Sequence, residues 1–235
     1  MVRRSEIRAS AEEFWQVAGG RTLYGSPVDV GRAAQVALPL VIKKIPGLAV
    51  RDVRDVVGRL RRGGAPTDFA GEHRLHGCLY ADLDVGILFV DEDDDQAEQR
   101  VTIAHEVAHF VLHYLEPRKR AAKAFGAGII AVLDRTRPPT TGERLSATMR
   151  GVPLAPWVHG LERKPPGRED LVEAEADDLA IELLAPIKEL RALPSCSPSE
   201  ISQAFGLPVR VSERVFQLLR PSSGTPGVVH LFRKV

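Results

Sequence analysis

The segment TIAHEVAHFVLH, residues 102–113, contains the short motif HExxH. On a helix, residues four apart are turned by about 400° and raised by about 6 Å, so His105 and His109 point to one face and can bind one metal ion. Two neutral imidazoles suit zinc, and the neighbouring carboxylate of Glu106 can take a proton from a water molecule that the metal activates. The pattern predicts the centre of a hydrolase.

The motif is short, so its surroundings decide between a metal site and two histidines that are simply hydrogen-bonded in a half-buried helix. Its neighbours form an apolar run of the kind found in a buried helix: Val101, Ile103, Ala104, Val107, Ala108, Val111 and Leu112. Histidine and glutamate in such surroundings need partners. We therefore favour the metal site.

The composition is that of a soluble globular protein, since 44% of the 235 residues are hydrophobic and 27% are charged. The net charge of +1 gives no global electrostatic reason to expect nucleic acid or a membrane as the main partner. Cys78 and Cys196 match no zinc or redox spacing, so we expect reduced thiols. Without a signal-peptide-like or membrane-spanning run, we expect a cytoplasmic protein.

Helices are predicted for the first part of the chain. A capping sequence at Ser10 predicts a short first helix, and Ser26-Pro27 predicts a second helix that continues through Ile45. The spacing of apolar residues predicts a third helix over 50–60. We divide the chain into three parts: a helical scaffold at 1–64, a core at 65–190 that carries the motif and has an insertion at about 116–170, and a C-terminal segment at 191–235 with a helix-turn-helix outline and a terminal strand.

A β-hairpin is predicted just before the motif. Its strands are His76–Asp82 and Val85–Asp91, joined by Leu83-Asp84. Because the free edge of a strand beside a metal site can hold an extended peptide, we expect Gly86–Val90 to be an edge strand. The acidic run Asp91–Asp95 lacks EF-hand spacing, and we interpret it as a solvated loop that caps the next helix.

A catalytic zinc site commonly takes three protein ligands, so the motif needs one more. A histidine six residues after His109 is excluded, because Leu115 occupies that position. His113 lies one turn after His109 on roughly the same face, but a ligand there would require one straight helix to wrap around the ion.

The acidic helix predicted over 171–186 is the better source of the third ligand. Glu173 and Asp177 share one face, so Glu173 can bind the metal while Asp177 accepts the N–H of a ligating histidine. Glu175 is the alternative ligand. It lies about 200° around the helix from Glu173, so the two cannot serve together, and we expect one of them to face solvent.

Three blocks of the sequence together resemble the ImmA/IrrE family of metallopeptidases: the strand around 89–90, the motif segment 100–113, and the acidic segment 173–186. The resemblance covers about 77–115 and 171–186 and extends weakly through 201–219. The acidic segment 173–186 makes the resemblance specific to this family.

The resemblance implies an α+β fold that is mostly helical. A small antiparallel sheet would pack on the HExxH helix in a thermolysin-like zincin core, followed by a C-terminal helical subdomain. It also implies that His105, His109 and Glu173 bind zinc and that Glu106 is the general base. Manganese is the alternative metal in the cell.

Family members are intracellular peptidases that typically cleave a helix-turn-helix transcriptional repressor in mobile elements or stress responses. The resemblance therefore implies a site-specific endopeptidase with such a protein as its substrate. The alternative is a non-catalytic regulatory module that keeps the peptidase fold and binds a metal, DNA or a protein.

Two features depart from the family pattern. The connection between the motif helix and the acidic helix is long, with a strand expected over Gly126–Leu133 and turns over Arg137–Gly142. Such an insertion can be a lid, a substrate-selecting loop or an inert elaboration. Asp177 stands where asparagine is common, which keeps the hydrogen bond and adds charge.

Residues 197–220 have the outline helix, Gly-Leu-Pro turn, helix, which DNA-binding modules share. The arginines of the second helix lie among apolar residues that suit packing, so direct DNA binding is not favoured: Arg210, Arg214 and Arg220. We expect this region to complete the core or to dock a substrate. The tail at 227–232 is predicted to form a final strand.

Peptide hydrolysis also needs a donor for the oxyanion that develops on the attacked carbonyl group. By residue type the candidates are Tyr80, Tyr114, His113 and His159. Glu106 is expected to take the proton of the attacking water and to pass it to the leaving amine.

Overall fold

The structure, a computed structural model, describes residues 4–60, 72–150 and 168–219. The helices within these ranges are α1 (Arg4–Val17), α2 (Val30–Ala37), α3 (Val50–Leu60), α4 (Gln96–His109), α5 (Glu116–Phe125), α6 (Ile130–Leu133), α7 (Thr141–Arg150), α8 (Arg168–Leu184), α9 (Ile187–Leu190), α10 (Pro198–Phe205) and α11 (Val209–Leu219). The strands are β1 (Leu40–Ile45), β2 (Gly77–Asp82) and β3 (Val85–Asp91), and a π-helical turn, Phe110–Leu115, joins α4 to α5. The predicted α+β class is confirmed.

The three strands form one mixed sheet in the order β1-β3-β2. Strands β2 and β3 pair antiparallel as the predicted hairpin, and the turn residues Leu83 and Asp84 have φ values of 50° and 64°, as a type I′ turn requires. Strand β1 pairs parallel to β3. The prediction that Gly86–Val90 is an edge strand is therefore wrong, because β3 has a neighbour on each side, and the sheet is not purely antiparallel.

Strand β1 also corrects the prediction of one helix from Ser26 to Ile45. Helix α2 begins after Asp29, whose side chain accepts a hydrogen bond from the backbone N–H of Arg32, and it ends at Ala37. Leu38 is extended, with φ −129° and ψ 152°. The cause is Pro39, which disfavours a helical residue before it and cannot donate a helical hydrogen bond.

The sheet separates two apolar clusters. The residues of β2 and β3 that point toward α4 belong to the main cluster: Leu79, Ala81, Leu88 and Val90. The strand residues on the opposite face pack against α3 and the segment before it, and together they form the second cluster: Cys78, Tyr80 and Phe89 with Leu48, Val50, Val53 and Val57. Helix α3 has the predicted bounds. Helices α3 and α4 thus cover opposite faces of the sheet.

Helix α4, which carries the motif, lies inside the main cluster. It packs on β2 and β3, and it also contacts α2 and α8. Asp95 caps it as predicted, because its side chain accepts a hydrogen bond from the backbone N–H of Glu98 at 2.9 Å. Asp91 is not solvated as predicted: it is 3% exposed and accepts a hydrogen bond from the Gly47 N–H and another from Arg74.

Two further predictions are corrected. Helix α1 begins at Arg4 and not at Ser10, since Ile7 extends its buried face. Gly126–Leu133 contains a 3₁₀ turn and helix α6, not a strand, and its apolar residues pack on Ala121 of α5. A short apolar run does not distinguish a strand from a buried helix. Of the predicted insertion, residues 151–167 lie outside the described residues.

The predicted outline of helix, turn and helix near the C-terminus is confirmed in α10 and α11. Gly206 between them has φ +62°, and Val211 and Val215 of α11 are buried in the main cluster. Arg210 forms an ion pair with Glu98 of α4. The strand predicted at 227–232 lies outside the described residues. Among the helices that are described, none has both the length and the apolar character needed to cross a membrane.

We expect Gly86→Ala to destabilise the fold, because a methyl group there would lie 2.6 Å from Leu40 Cδ1 and 2.8 Å from Phe110 Cε2. Overpacking of this kind costs about 1–3 kcal/mol of the free energy of unfolding, which denaturant titration measures. Gly142→Ala is the control, because its methyl group would meet no atom within 4 Å. Equal stability of the two variants would contradict this packing of β3.

Candidate metal centre

Helix α4 presents the two motif histidines to one point. The Nε2 atoms of His105 and His109 lie 3.0 Å apart, one helical turn separating the residues. His109 is fully buried and the side chain of His105 is 13% exposed. Two ring nitrogens that face each other at this distance either share a hydrogen bond or direct their lone pairs at one cation.

Glu173 of α8 completes a cluster of three donor atoms. Its Oε2 atom lies 3.3 Å from His105 Nε2 and 3.5 Å from His109 Nε2. Among the described residues, these three side chains form the group whose donor atoms lie close enough together to hold a metal ion, all within 4.8 Å of one another. Packing of α8 against α4 brings the acid to the histidines.

The separations suit an ion of the size of zinc. In a tetrahedral site with bonds of about 2.0–2.1 Å, two ligand atoms lie about 3.3 Å apart, and the three observed separations are 3.0, 3.3 and 3.5 Å. Two imidazoles and one carboxylate are also a known donor set of catalytic zinc, which takes three ligands from the protein. The residues present therefore fit a metal ion.

Asp177 supports His105 from behind. Its Oδ1 atom lies 3.0 Å from His105 Nδ1, and its side chain is 3% exposed. A carboxylate in this position holds the hydrogen of the ring on Nδ1 and leaves Nε2 for a metal. Burial acts to lower the pKa of His105, but hydrogen bonds with Asp177 and Glu173 outweigh it and raise this pKa to about 10.

Glu106 lies between α4 and strand β2. It is 7% exposed, and a Cβ atom at Gly77 would lie 3.5 Å from its Cγ atom. The same Cβ atom would overlap Thr102 Cγ2, so only glycine lets β2 approach α4 this closely. Burial, together with the charge of Glu106, raises the pKa of the Cys78 thiol. Cys78 and Cys196 are both free thiols, as expected.

His113 and Glu175 form a pair beside the three-donor cluster. His113 Nδ1 lies 3.1 Å from His109 Nδ1, and His113 Nε2 lies 3.4 Å from Glu175 Oε2. We expected either Glu173 or Glu175 to face solvent, yet their side chains are only 34% and 15% exposed. Both point toward the interface with α4 and the turn that follows it. Glu173 contacts the two motif histidines, whereas Glu175 contacts His113, which lies beyond the motif.

The candidate oxyanion donors lie in different places. The Tyr80 hydroxyl donates to Asp82 at 3.0 Å, on the sheet face that α3 covers. The Tyr114 hydroxyl accepts from the backbone N–H of Asp84 at 3.0 Å, at the hairpin turn. His113 lies next to His109, and His159 lies outside the described residues. Of the four, His113 is the one that the described structure places beside the cluster.

Two features of the site were not predicted from the sequence. The approach of Gly77 to Glu106 depends on how β2 packs on α4, and no sequence pattern signals it. The contact between His113 and His109 was detectable, since residues four apart on a helix are neighbours. The sequence analysis treated His113 as a possible ligand or oxyanion donor and not as a hydrogen-bonding partner of His109.

We expect Zn²⁺ binding at neutral pH to release about one proton from His105, because the raised pKa keeps this ring protonated in the metal-free protein and a ligating imidazole must be neutral. Binding should therefore tighten as the pH rises toward 10, the approximate pKa of this ring. Calorimetry in buffers of different ionisation enthalpy counts the protons. Asp177→Asn, which removes the hydrogen-bonded carboxylate, should release fewer protons. If the wild type and Asp177→Asn released the same number of protons, Asp177 would not be the cause of the raised pKa of His105.

Comparison with known protein families gives a match over part of the chain. A sequence model of the IrrE N-terminal-like domain, of peptidase family M78, matches residues 66–131. The match contains the HExxH motif and ends before α8. No curated protein and no solved structure matches the chain. The resemblance to the ImmA/IrrE family is therefore confirmed for residues 66–131, which are similar to the IrrE N-terminal-like domain.

Proposed function

We propose that this protein is a zinc-dependent endopeptidase. The observation that carries the proposal is the meeting of His105, His109 and Glu173 at one point, beside the buried carboxylate of Glu106. Zinc is proposed over manganese because two of the three donors are imidazole nitrogens, whereas manganese suits oxygen ligands.

Each residue of the site has a defined task. His105, His109 and Glu173 would hold the zinc ion, which supplies Lewis acidity when bound and lowers the pKa of a water molecule. Asp177 keeps His105 in the tautomer that offers Nε2. Glu106 accepts the proton of the attacking water and delivers it to the leaving amine, and its burial strengthens its interaction with developing charge.

The outer edge of β2 is the place where we expect an extended peptide substrate to bind. Among the described strands, β2 lies at the end of the sheet and pairs with β3, so a further strand could add on its other side. This edge begins at Gly77, which lies against Thr102 and Glu106 of the motif helix. A peptide that adds to β2 by backbone hydrogen bonds would pass beside Glu106. The predicted substrate edge thus moves from β3 to β2.

We further propose a cytoplasmic protein substrate with a helix-turn-helix domain, a transcriptional repressor. This step rests on the family resemblance. Direct DNA binding by α10 and α11 is not part of the proposal, because Val211 and Val215 are buried and Arg210 is paired with Glu98. These contacts give α11 a packing role against the core.

Glu106→Gln should retain zinc and lose nearly all cleavage, because the amide cannot take a proton from water. His109→Ala should lose both zinc and cleavage. Glu116→Gln is the matched control, since it makes the same substitution at a residue that pairs with Lys119, outside the metal cluster. Metal content is measured by elemental analysis, and cleavage by incubation with repressor-like products of neighbouring genes, with and without a chelator.

Full cleavage by the Glu106→Gln protein would refute the mechanism. Tight metal binding without cleavage of any partner, in a protein that still binds a partner or DNA, would favour the non-catalytic regulatory module. A wild-type protein that retains no metal would refute the metal site itself.

A further inference from the structure

We propose that His113 and Glu175 are positioning residues that hold His109 in the tautomer that binds the metal through Nε2. The inference rests on the proposed metal site, and it assigns a role to two residues outside the three donors. The chain of contacts runs from His109 Nδ1 to His113 Nδ1 over 3.1 Å, and from His113 Nε2 to Glu175 Oε2 over 3.4 Å.

The positions of the hydrogens follow from these contacts. A neutral imidazole carries one hydrogen, so a His109 ring that offers the Nε2 lone pair to a metal has its hydrogen on Nδ1. That nitrogen faces His113 Nδ1, which must then be the acceptor. The hydrogen of His113 therefore lies on Nε2, where it points at Glu175, and an ionised carboxylate is only an acceptor. Each of these contacts has one donor and one acceptor.

The positions of these hydrogens matter because the three side chains are largely buried, where unpaired donors and acceptors are costly. His109 is fully buried, and the side chains of His113 and Glu175 are 10% and 15% exposed. In such surroundings, the opposite tautomer of His113 would place two N–H groups against each other and leave a carboxylate without that donor, which is costly. Glu175 therefore selects the tautomer of His113, and His113 selects that of His109.

The two acids of α8 thereby have separate tasks. Glu173 lies against both Nε2 atoms of the cluster, whereas Glu175 lies against His113 on the far side of His109. Asp177 supports His105 directly, as Glu175 supports His109 through His113. The π-helical turn Phe110–Leu115 contains His113, and turns of this kind are frequent at functional sites.

The test measures Zn²⁺ affinity of the full chain by competition with a chromophoric chelator. His113→Ala and Glu175→Ala should each weaken binding by about 10–100-fold, the usual effect of removing a partner of a metal-binding histidine. The double variant should bind no more weakly than His113→Ala, because Glu175 acts through His113 alone. His113→Asn should restore part of the affinity, since its side-chain oxygen can accept from His109.

Asp178→Asn is the control for charge, because it removes one acid from an exposed position of the same helix. Unfolding of the metal-free variants shows whether each one folds. An independent readout is nitrogen NMR of the histidine rings in the zinc-loaded wild type, which should show hydrogen on Nδ1 of His109 and on Nε2 of His113.

Three results would decide against the inference. Affinities equal to wild type in both single variants would overturn it and leave the metal site intact. A further loss when Glu175→Ala is added to His113→Ala would show that Glu175 acts on the metal directly. The opposite tautomers in the NMR spectrum would also overturn it. Failure of the wild type to bind Zn²⁺ would instead refute the proposed function.

Discussion

The packing of α8 against α4 is the contact on which the candidate site depends. It brings Glu173 within 3.5 Å of two buried imidazoles that α4 alone could not satisfy. Histidine in an apolar interior is costly without partners, and the acids of α8 supply these partners. The sheet and α2 cover other sides of α4. The fold thus encloses the motif helix, and α8 brings acidic side chains to its two histidines.

Spacing along single helices gave the part of the site that could be predicted. The positions of His105 and His109, and of Glu173 and Asp177, follow from residues four apart sharing a face. Which histidine meets which acid depends on where two helices cross, and helical spacing carries no such information. The expectation that Glu173 or Glu175 faces solvent failed for this reason, because both lie at the interface with α4 and the turn that follows it.

The parts of the fold that were predicted correctly also depend on residues that are close in sequence. The hairpin, α3 and the cap at Asp95 are set by nearby residues, and each is confirmed. Strand β1 was missed because its apolar residues also fit a helix, although Pro39 ends α2; the pairing with β3 then fixes the residues after Pro39 as a strand. That pairing then removed β3 from the edge of the sheet. A local error about one strand therefore changed the predicted position of the substrate.

X-ray absorption spectroscopy of the zinc-loaded protein tests the central claim most directly, because it identifies the atoms bound to the metal. We expect two imidazole nitrogens and carboxylate or water oxygens at about 2.0–2.1 Å, without sulfur. These donors correspond to His105, His109 and Glu173. A third imidazole, which would indicate His113 as a ligand, or a sulfur at about 2.3 Å would contradict the account.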